Sequence, residues 1–324
     1  MVTKWLNRIF SSQVQAVATR HRGATRVWLG GDRVKTRSVG TFDRRATEIA
    51  VGEANGKACA KGEYVLATGT AAAHRLNILH DLYESGTCHV LLDAGLRRGL
   101  RVADLGCGTG NVTTLISDFV GPEGYVVGMD ASSEQIAEAR SRLSSGATNV
   151  RFVEASATDT GWPDESFDMV YCRFLLLHLC EPERALREMY RLLKPGGVLV
   201  CEDGDLTSAS SEPPSALCAF ADLFGRLGPV RGVDYTLGRR LYQLVAAAGF
   251  AAPEITFNQP VIARGETKRL LELSVAEAGP ALVDAGLITA AELDATLVEM
   301  RRLGGDEKVL AVMPRMAQVW ARKC

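Results

Sequence analysis

Arg101 to Gly110, read as RVADLGCGTG, constrains the chain more than any other stretch. Val102, Ala103 and Leu105 form a short apolar run interrupted only by Asp104, and glycines follow at alternate positions 106, 108 and 110. The pattern predicts a buried strand that empties into a glycine-rich turn. Val112, Leu115, Ile116 and Phe119 then recur at helical spacing, so the turn opens a helix. Glycine lets a backbone come close to a ligand, and the first N–H groups of a helix lack intrahelical partners and can face it.

A second strand, Tyr125 to Met129, ends in Asp130. A carboxylate at the tip of a neighbouring strand is placed to accept hydrogen bonds from the two hydroxyls of a ribose. The expected ligand is therefore a nucleoside. A dinucleotide fingerprint would need glycine at 111, where Asn111 stands, and a phosphate-binding loop would need Gly-Lys-Ser/Thr, which is absent.

The motif that remains, acidic-x-G-x-G-x-G, resembles motif I of the class I S-adenosylmethionine (SAM) dependent methyltransferases. The landmarks downstream keep the same order. Asp130 resembles that family's ribose-binding acid, SFDMVYCRF (166–174) its fourth strand, and LLKPGGVLV (192–200) its helix-to-fifth-strand turn. Within the family the look is of the ubiquinone/menaquinone-biosynthesis and natural-product small-molecule branch, over roughly residues 64–250. The resemblance implies an α/β, Rossmann-like sheet of seven strands with the last antiparallel. It also implies SAM as cofactor, held by Asp104, Gly106, Cys107, Gly108, Gly110, Asp130 and Ala131. The family's loop after the third strand normally sets an Asp near the adenine amino group. Here Ser156 stands at that position, which leaves the contact to its hydroxyl, to backbone at Ala157, or to Asp159.

Composition fits an ordinary soluble protein, with 47% hydrophobic and 23% charged residues and no apolar run long enough to span a membrane. Net charge is −1, yet residues 1–62 carry twelve Lys/Arg against four acids, so the rest is acidic. An acidic body argues against nucleic acid as substrate, since phosphate backbones are held by clustered Lys/Arg. The eight cysteines contain no C-x-x-C, several lie in apolar runs, and reduced thiols in the cytoplasm are expected. The five histidines have no metal-ligand spacing, and no metal is expected.

Residues 1–62 read as a basic extension, either poorly ordered, a transit peptide, or an arm exchanged between copies in a homo-oligomer. Residues 63–324 read as the catalytic domain. A helix over 70–83 and a second short one over 90–96 form a helical lead-in. In the relatives this lead-in packs over the methionine end of the cofactor, so Tyr64 and Arg75 are candidates for its carboxylate; the alternative leaves Arg75 solvated on a helix packed against the sheet. Strands are expected at 149–155, 167–174, 198–201, 254–262 and 308–322. Helices are expected at 132–143, 182–193, 216–227, 237–248, 267–278 and 290–303. Insertions at 206–235 and 264–305, rich in Leu, Ala and Val, suit a helical lid over a covered pocket.

Candidate chemistry gathers at the carboxyl ends of the strands. His178, just past the fourth strand, is either a general base or a hydrogen-bonded wall residue. Arg173 orients the cofactor or an anionic acceptor, or pairs with a neighbouring acid. Glu202 and Asp203 stand where family members place substrate-facing groups, although strand alternation sends them to opposite faces. Asp205 completes an acidic cluster expected in a loop. The whole reads as a methyltransferase for a small organic molecule. The rival readings are an RNA or protein methyltransferase using the basic extension, a SAM-binding protein without catalysis, and, more remotely, a nicotinamide dehydrogenase.

Overall fold

The structure is a computed structural model that describes residues 70–143 and 147–324. The expectations for residues 1–62 and for Tyr64 lie outside the described residues. The described part of the chain opens with α1 (Thr70–Asp93), one continuous helix of 24 residues where two short ones were expected. Nothing between Tyr83 and Val90 breaks it: Gly86 is tolerated inside, packed so closely on Asn258 that a Cβ would stand 2.1 Å from its amide nitrogen.

Then follow β1 (Arg101–Leu105), α2 (Asn111–Val120), β2 (Tyr125–Asp130), α3 (Ser133–Arg142), β3 (Val150–Glu154), β4 (Phe167–Arg173), α4 (Pro182–Leu192) and β5 (Leu193–Asp205). The lid and closing elements are β6 (Ser210–Glu212), α5 (Ala219–Arg231), α6 (Leu241–Ala247), β7 (Ala251–Asn258), β8 (Val261–Ile262), α7 (Leu270–Asp284), α8 (Ala290–Gly304), β9 (Leu310–Val312) and β10 (Arg315–Arg322).

Local chemistry explains the best-defined of these. In β1 every residue after Arg101 is buried, as an interior parallel strand requires. α2 buries Val112, Ile116 and Val120 on one stripe, and full burial of a side chain such as Ile116 contributes about 1.5–3 kcal/mol. The Ser132 hydroxyl accepts the Gln135 N–H at 3.3 Å to start α3, and Pro182 occupies the first turn of α4, where its missing N–H costs nothing.

Seven strands form one sheet in the order β3-β2-β1-β4-β5-β10-β7. β1 to β5 are parallel, and β10 runs antiparallel to both β5 and β7. From β1 the chain winds outward to β3 and then returns to the other side of β1 as β4. The reversal leaves a crevice at the carboxyl ends of β1 and β4, where ligands of such sheets bind.

Three expectations about strands are corrected. β5 runs on to Asp205, so Glu202, Asp203 and Asp205 belong to a buried strand and not to a solvated loop. The segments 254–262 and 308–322 each split in two, and their outer pieces, β8 and β9, join β6 in a separate three-stranded antiparallel sheet. The break falls at Gln259-Pro260 in one and at Pro314 in the other, where proline cannot donate to a ladder.

That small sheet ties the first insertion to the segments that flank the second. Arg226 of α5 donates to the Leu287 carbonyl at 2.8 Å. Glu272 of α7, fully buried, is gripped by Arg269 at 3.1 Å and by Arg301 of α8 at 2.8 Å. Among the described residues no helix is long and apolar enough to cross a membrane. Among the described residues six cysteines are free, but Cys180 is disulfide-bonded, so the expectation of reduced thiols fails there.

Candidate active site

The carboxyl ends of β1, β2 and β4 open into a cavity of about 440 Å³. Its floor is the glycine turn. The Gly106 and Cys107 N–H groups donate to the Met129 carbonyl at 2.7 and 3.0 Å, which fastens the turn to the end of β2. Gly106 has φ +71°, and a Cβ there would stand 2.9 Å from Leu175 Cδ1. Gly110, at φ +80°, is the cap of α2, and a Cβ would meet the Phe152 ring at 2.4 Å. Both the backbone conformation and the space therefore demand glycine at these two positions.

Asp130 stands at the rim of this floor. One carboxylate oxygen accepts the Gly108 N–H and the other the Ser132 N–H, each at 2.9 Å. With the Ala131 backbone N–H also acting on it, the side chain is held in place, and the carboxylate keeps acceptor capacity for a hydroxyl donor. Burial raises its pKa, opposed by these backbone bonds. Asp104, at the end of β1, accepts the Thr113 hydroxyl at 2.6 Å, and burial pushes its carboxyl up to about 7.

Of the residues singled out in the sequence, Arg75, Asp104, Gly106, Cys107, Gly108, Asp130, Ala131, Ser156, Ala157, Arg173 and His178 all line this cavity. Gly110, expected to help hold the cofactor, does not line it. Ser156 closes a small turn, its hydroxyl 3.0 Å from that of Thr158, while Asp159 does not line the cavity.

Glu202 and Asp203 do not line it either, which corrects their expected place beside the substrate. Glu202 faces α1 and is fully buried. It accepts the Tyr171 hydroxyl at 2.6 Å, the Gln318 amide at 2.6 Å and the Thr87 hydroxyl at 3.2 Å. Asp203 faces the opposite way, as alternation requires. It accepts the backbone N–H groups of Leu176, Leu177 and Gly204 at 2.8, 3.2 and 3.0 Å. Asp205 is paired with Arg239 at 2.7 Å.

Asp203 therefore shapes the segment that carries His178. After Arg173 the chain turns sharply through Phe174, at φ +50°, into a 3₁₀ turn over Leu176–His178. The His178 ring meets Tyr235 edge-on at 5.7 Å. Burial first, then the charges of Arg75 and Arg231, push its pKa down to about 3. Arg173 donates to the Thr87 hydroxyl at 3.2 Å.

The far wall of the cavity was not legible in the sequence. Leu206, Phe220, Phe224, Val233 and Tyr235 come from the first insertion, and Leu270 and Ser274 from the second. Their only advance signal was that both insertions are apolar. Arg75 reaches the same wall, its Nε bonded to Glu277 of α7.

A doubly wound sheet with a glycine turn, an acid at the next strand tip and a covered pocket beyond defines a nucleoside-binding α/β protein of the methyltransferase type. The Methyltransferase domain family matches residues 103–201. The demethylmenaquinone methyltransferase of Staphylococcus aureus is 33% identical over 183 residues, which is 56% of this chain and 70% of that protein. The ubiquinone/menaquinone biosynthesis C-methyltransferase UbiE of Vibrio campbellii is 37% identical over 138 residues, 40% of this chain and 53% of that protein. The chain thus spans about half the length of the Vibrio relative. The solved YcgJ protein of Bacillus subtilis has the same fold, with a TM-score of 0.51 at 22% identity over 74% of this chain and 98% of that one. The chain belongs to the class I SAM-dependent methyltransferases, on the side of the family that includes quinone-biosynthesis enzymes.

Proposed function

We propose that the protein transfers the methyl group of SAM to a small, partly apolar organic acceptor, in secondary-metabolite or quinone-like biosynthesis. The observation that carries this reading is one cavity with two unlike ends. One end is the glycine turn with Asp130; the other is roofed by Phe220, Phe224, Val233, Tyr235 and Leu270. A polar nucleoside fits the first and an apolar acceptor the second.

In this reading Asp130 takes the ribose hydroxyls, Ser156 or the Ala157 backbone faces the adenine, and Arg173, beside Asp104, faces the methionine end. SAM supplies a methyl group on a positively charged sulfur, already a good leaving group. Methyl transfer is then an in-line displacement in which positioning supplies much of the rate. His178, held near 3 by burial and by Arg75, is too weak a base to take a proton at neutral pH. Its supported role is a neutral wall against the acceptor. A cytosolic setting belongs to the same proposal; the six free cysteines among the described residues favour it and the disulfide at Cys180 counts against it.

The test is to incubate the purified protein with methyl-labelled SAM and a cell extract, then count label in the organic-soluble, protein and nucleic-acid fractions. Label in the organic-soluble fraction is expected. Label in RNA or protein would overturn the acceptor class. No label, with SAM binding verified by titration, would leave a binding protein without catalysis.

A further inference from the structure

We propose that Arg75, fixed by Glu277 of the lid, is the group that reads the acceptor, and that the acceptor carries an oxyanion. This rests on the methyltransferase reading above and goes beyond it by assigning a residue and a ligand chemistry to the lid end of the cavity.

The side chains of Arg75 and Glu277 are 6% and 7% exposed, so the pair is nearly dry. Only Nε of Arg75 is engaged, with Glu277 Oε2; among the described residues neither terminal nitrogen has a hydrogen-bond acceptor. A guanidinium is permanently charged and offers its donors as a rigid planar fork. Glu277 uses one of its five donors and keeps its own Oε1 buried without a partner among the described residues, which leaves the terminal nitrogens to a ligand of the cavity that Arg75 lines. Glu277 comes from α7, one turn beyond Ser274, and Ser274 and Leu270 line the cavity alongside Arg75. Lead-in helix and lid thus aim one cation together.

The cavity's charges divide by end. Arg173 acts on Asp104, at the glycine-turn end. Arg75, together with Arg231, acts on His178, which is packed against Tyr235 under the lid. Asp104 and Asp130 are strand-tip acids at the first end, and the remaining carboxylate of the lining, Glu181, is bound to Arg184 at 3.0 Å. Of these two arginines, Arg173, whose charge acts on Asp104, suits the amino-acid portion of the methyl donor, and Arg75, tied to the lid through Glu277, suits an anionic group of the acceptor. The apolar surroundings, Phe224, Tyr235 and Leu270, lower the local dielectric and strengthen such a pairing. Ionised carboxyls and ionised acidic hydroxyls share the chemistry that the fork recognises.

The full chain, loaded with S-adenosylhomocysteine, is titrated with three probes: naphthoate, its uncharged methyl ester, and ionised nitrophenol. At least one anion is expected to bind roughly tenfold or more tighter than the ester. A preference for naphthoate assigns a carboxyl acceptor and a preference for nitrophenol an acidic hydroxyl. Arg75→Gln is expected to erase the preference while S-adenosylhomocysteine affinity stays within a factor of about two. Should Arg75→Gln fail to fold, Arg75→Lys and Glu277→Gln serve instead, both expected to weaken the preference several-fold by spoiling the fork.

Anions and ester binding alike, or none binding, would overturn the proposal. So would loss of S-adenosylhomocysteine affinity in Arg75→Gln with the anion preference intact, which would give Arg75 to the methyl donor. If wild-type protein does not bind S-adenosylhomocysteine at all, the methyltransferase reading itself fails and this proposal falls with it.

Discussion

Asp203 accepts the backbone N–H of Leu176 at 2.8 Å, reaching from β5 to the turn that follows β4. With the Leu177 and Gly204 N–H groups on the same carboxylate, three buried donors depend on one side chain. Asp203→Ala is expected to cost roughly 2–4 kcal/mol in urea unfolding, because orphaned buried donors are expensive. Asp203→Asn, which keeps one oxygen, should recover part of the loss. Burial raises this carboxyl to about 7, so the folded chain holds a proton that the unfolded chain has released above about 4. The resulting stability is present at acid pH and fades as pH rises through 7, and Asp203→Asn should flatten that slope. An alanine variant as stable as wild type would remove Asp203 from its anchoring role.

Asp130→Ala is expected to lower affinity for S-adenosylhomocysteine by roughly a hundredfold or more if, as proposed, the carboxylate takes the ribose hydroxyls, because hydrogen bonds to a charged group are then lost. Circular dichroism should stay native. The variant also frees the Gly108 N–H, so part of the loss reflects a looser turn. Calorimetric titration showing unchanged affinity would reject Asp130 as the ribose acid.

Gly110→Ala should destabilise more than Gly106→Ala. Both positions have positive φ, but the added methyl at 110 strikes the Phe152 ring at 2.4 Å, whereas at 106 it meets the end of the Leu175 side chain at 2.9 Å. A ring cannot swing aside as a leucine methyl can. Thermal unfolding should place Gly110→Ala lower by about 1–3 kcal/mol, the usual range for overpacking. The reverse order would mean that Phe152 is free to move.

His178 is expected to leave no inflection in the pH dependence of kcat between about 5 and 8, because its pKa is pushed down to about 3. In stability it acts in the opposite sense to Asp203. The unfolded histidine takes up a proton below about 6.5 and the folded one does not, so stability present above 6.5 declines as pH falls toward 3. His178→Gln should lessen that acid sensitivity. An inflection near 6.5 in the wild-type rate that vanishes in His178→Gln would restore the base.

Where residue type and periodicity act locally, the sequence was sufficient. The β1 run, the alternate glycines and Asp130 specify a floor within thirty residues, because each bond that holds it is short in sequence. Arg173 and His178 were located by the strand that precedes them. The errors arose where a residue's environment is supplied from far along the chain. Glu202 resembles a solvent-facing acid until Thr87, Tyr171 and Gln318 close around it, and two of those lie more than a hundred residues away. The lid wall failed for the same reason. Tyr235 and Leu270 sit in segments whose local pattern predicts only helices and apolar surface; nothing nearby says which cavity they will meet. Two helices were expected where α1 runs on, and Gly86, a weak helix former inside it, packs against the distant Asn258.

The three-stranded sheet of β6, β9 and β8 draws β6 from the first insertion and β8 and β9 from the segments that flank the second. Because its ladder crosses between them, neither can be exchanged alone without tearing hydrogen bonds from the other. The roof is a single heritable unit. A graft of residues 206–235 from a relative should fold poorly unless 261–312 travels with it, whereas the pair together could be transplanted onto the same sheet and bring a new acceptor preference without disturbing the floor.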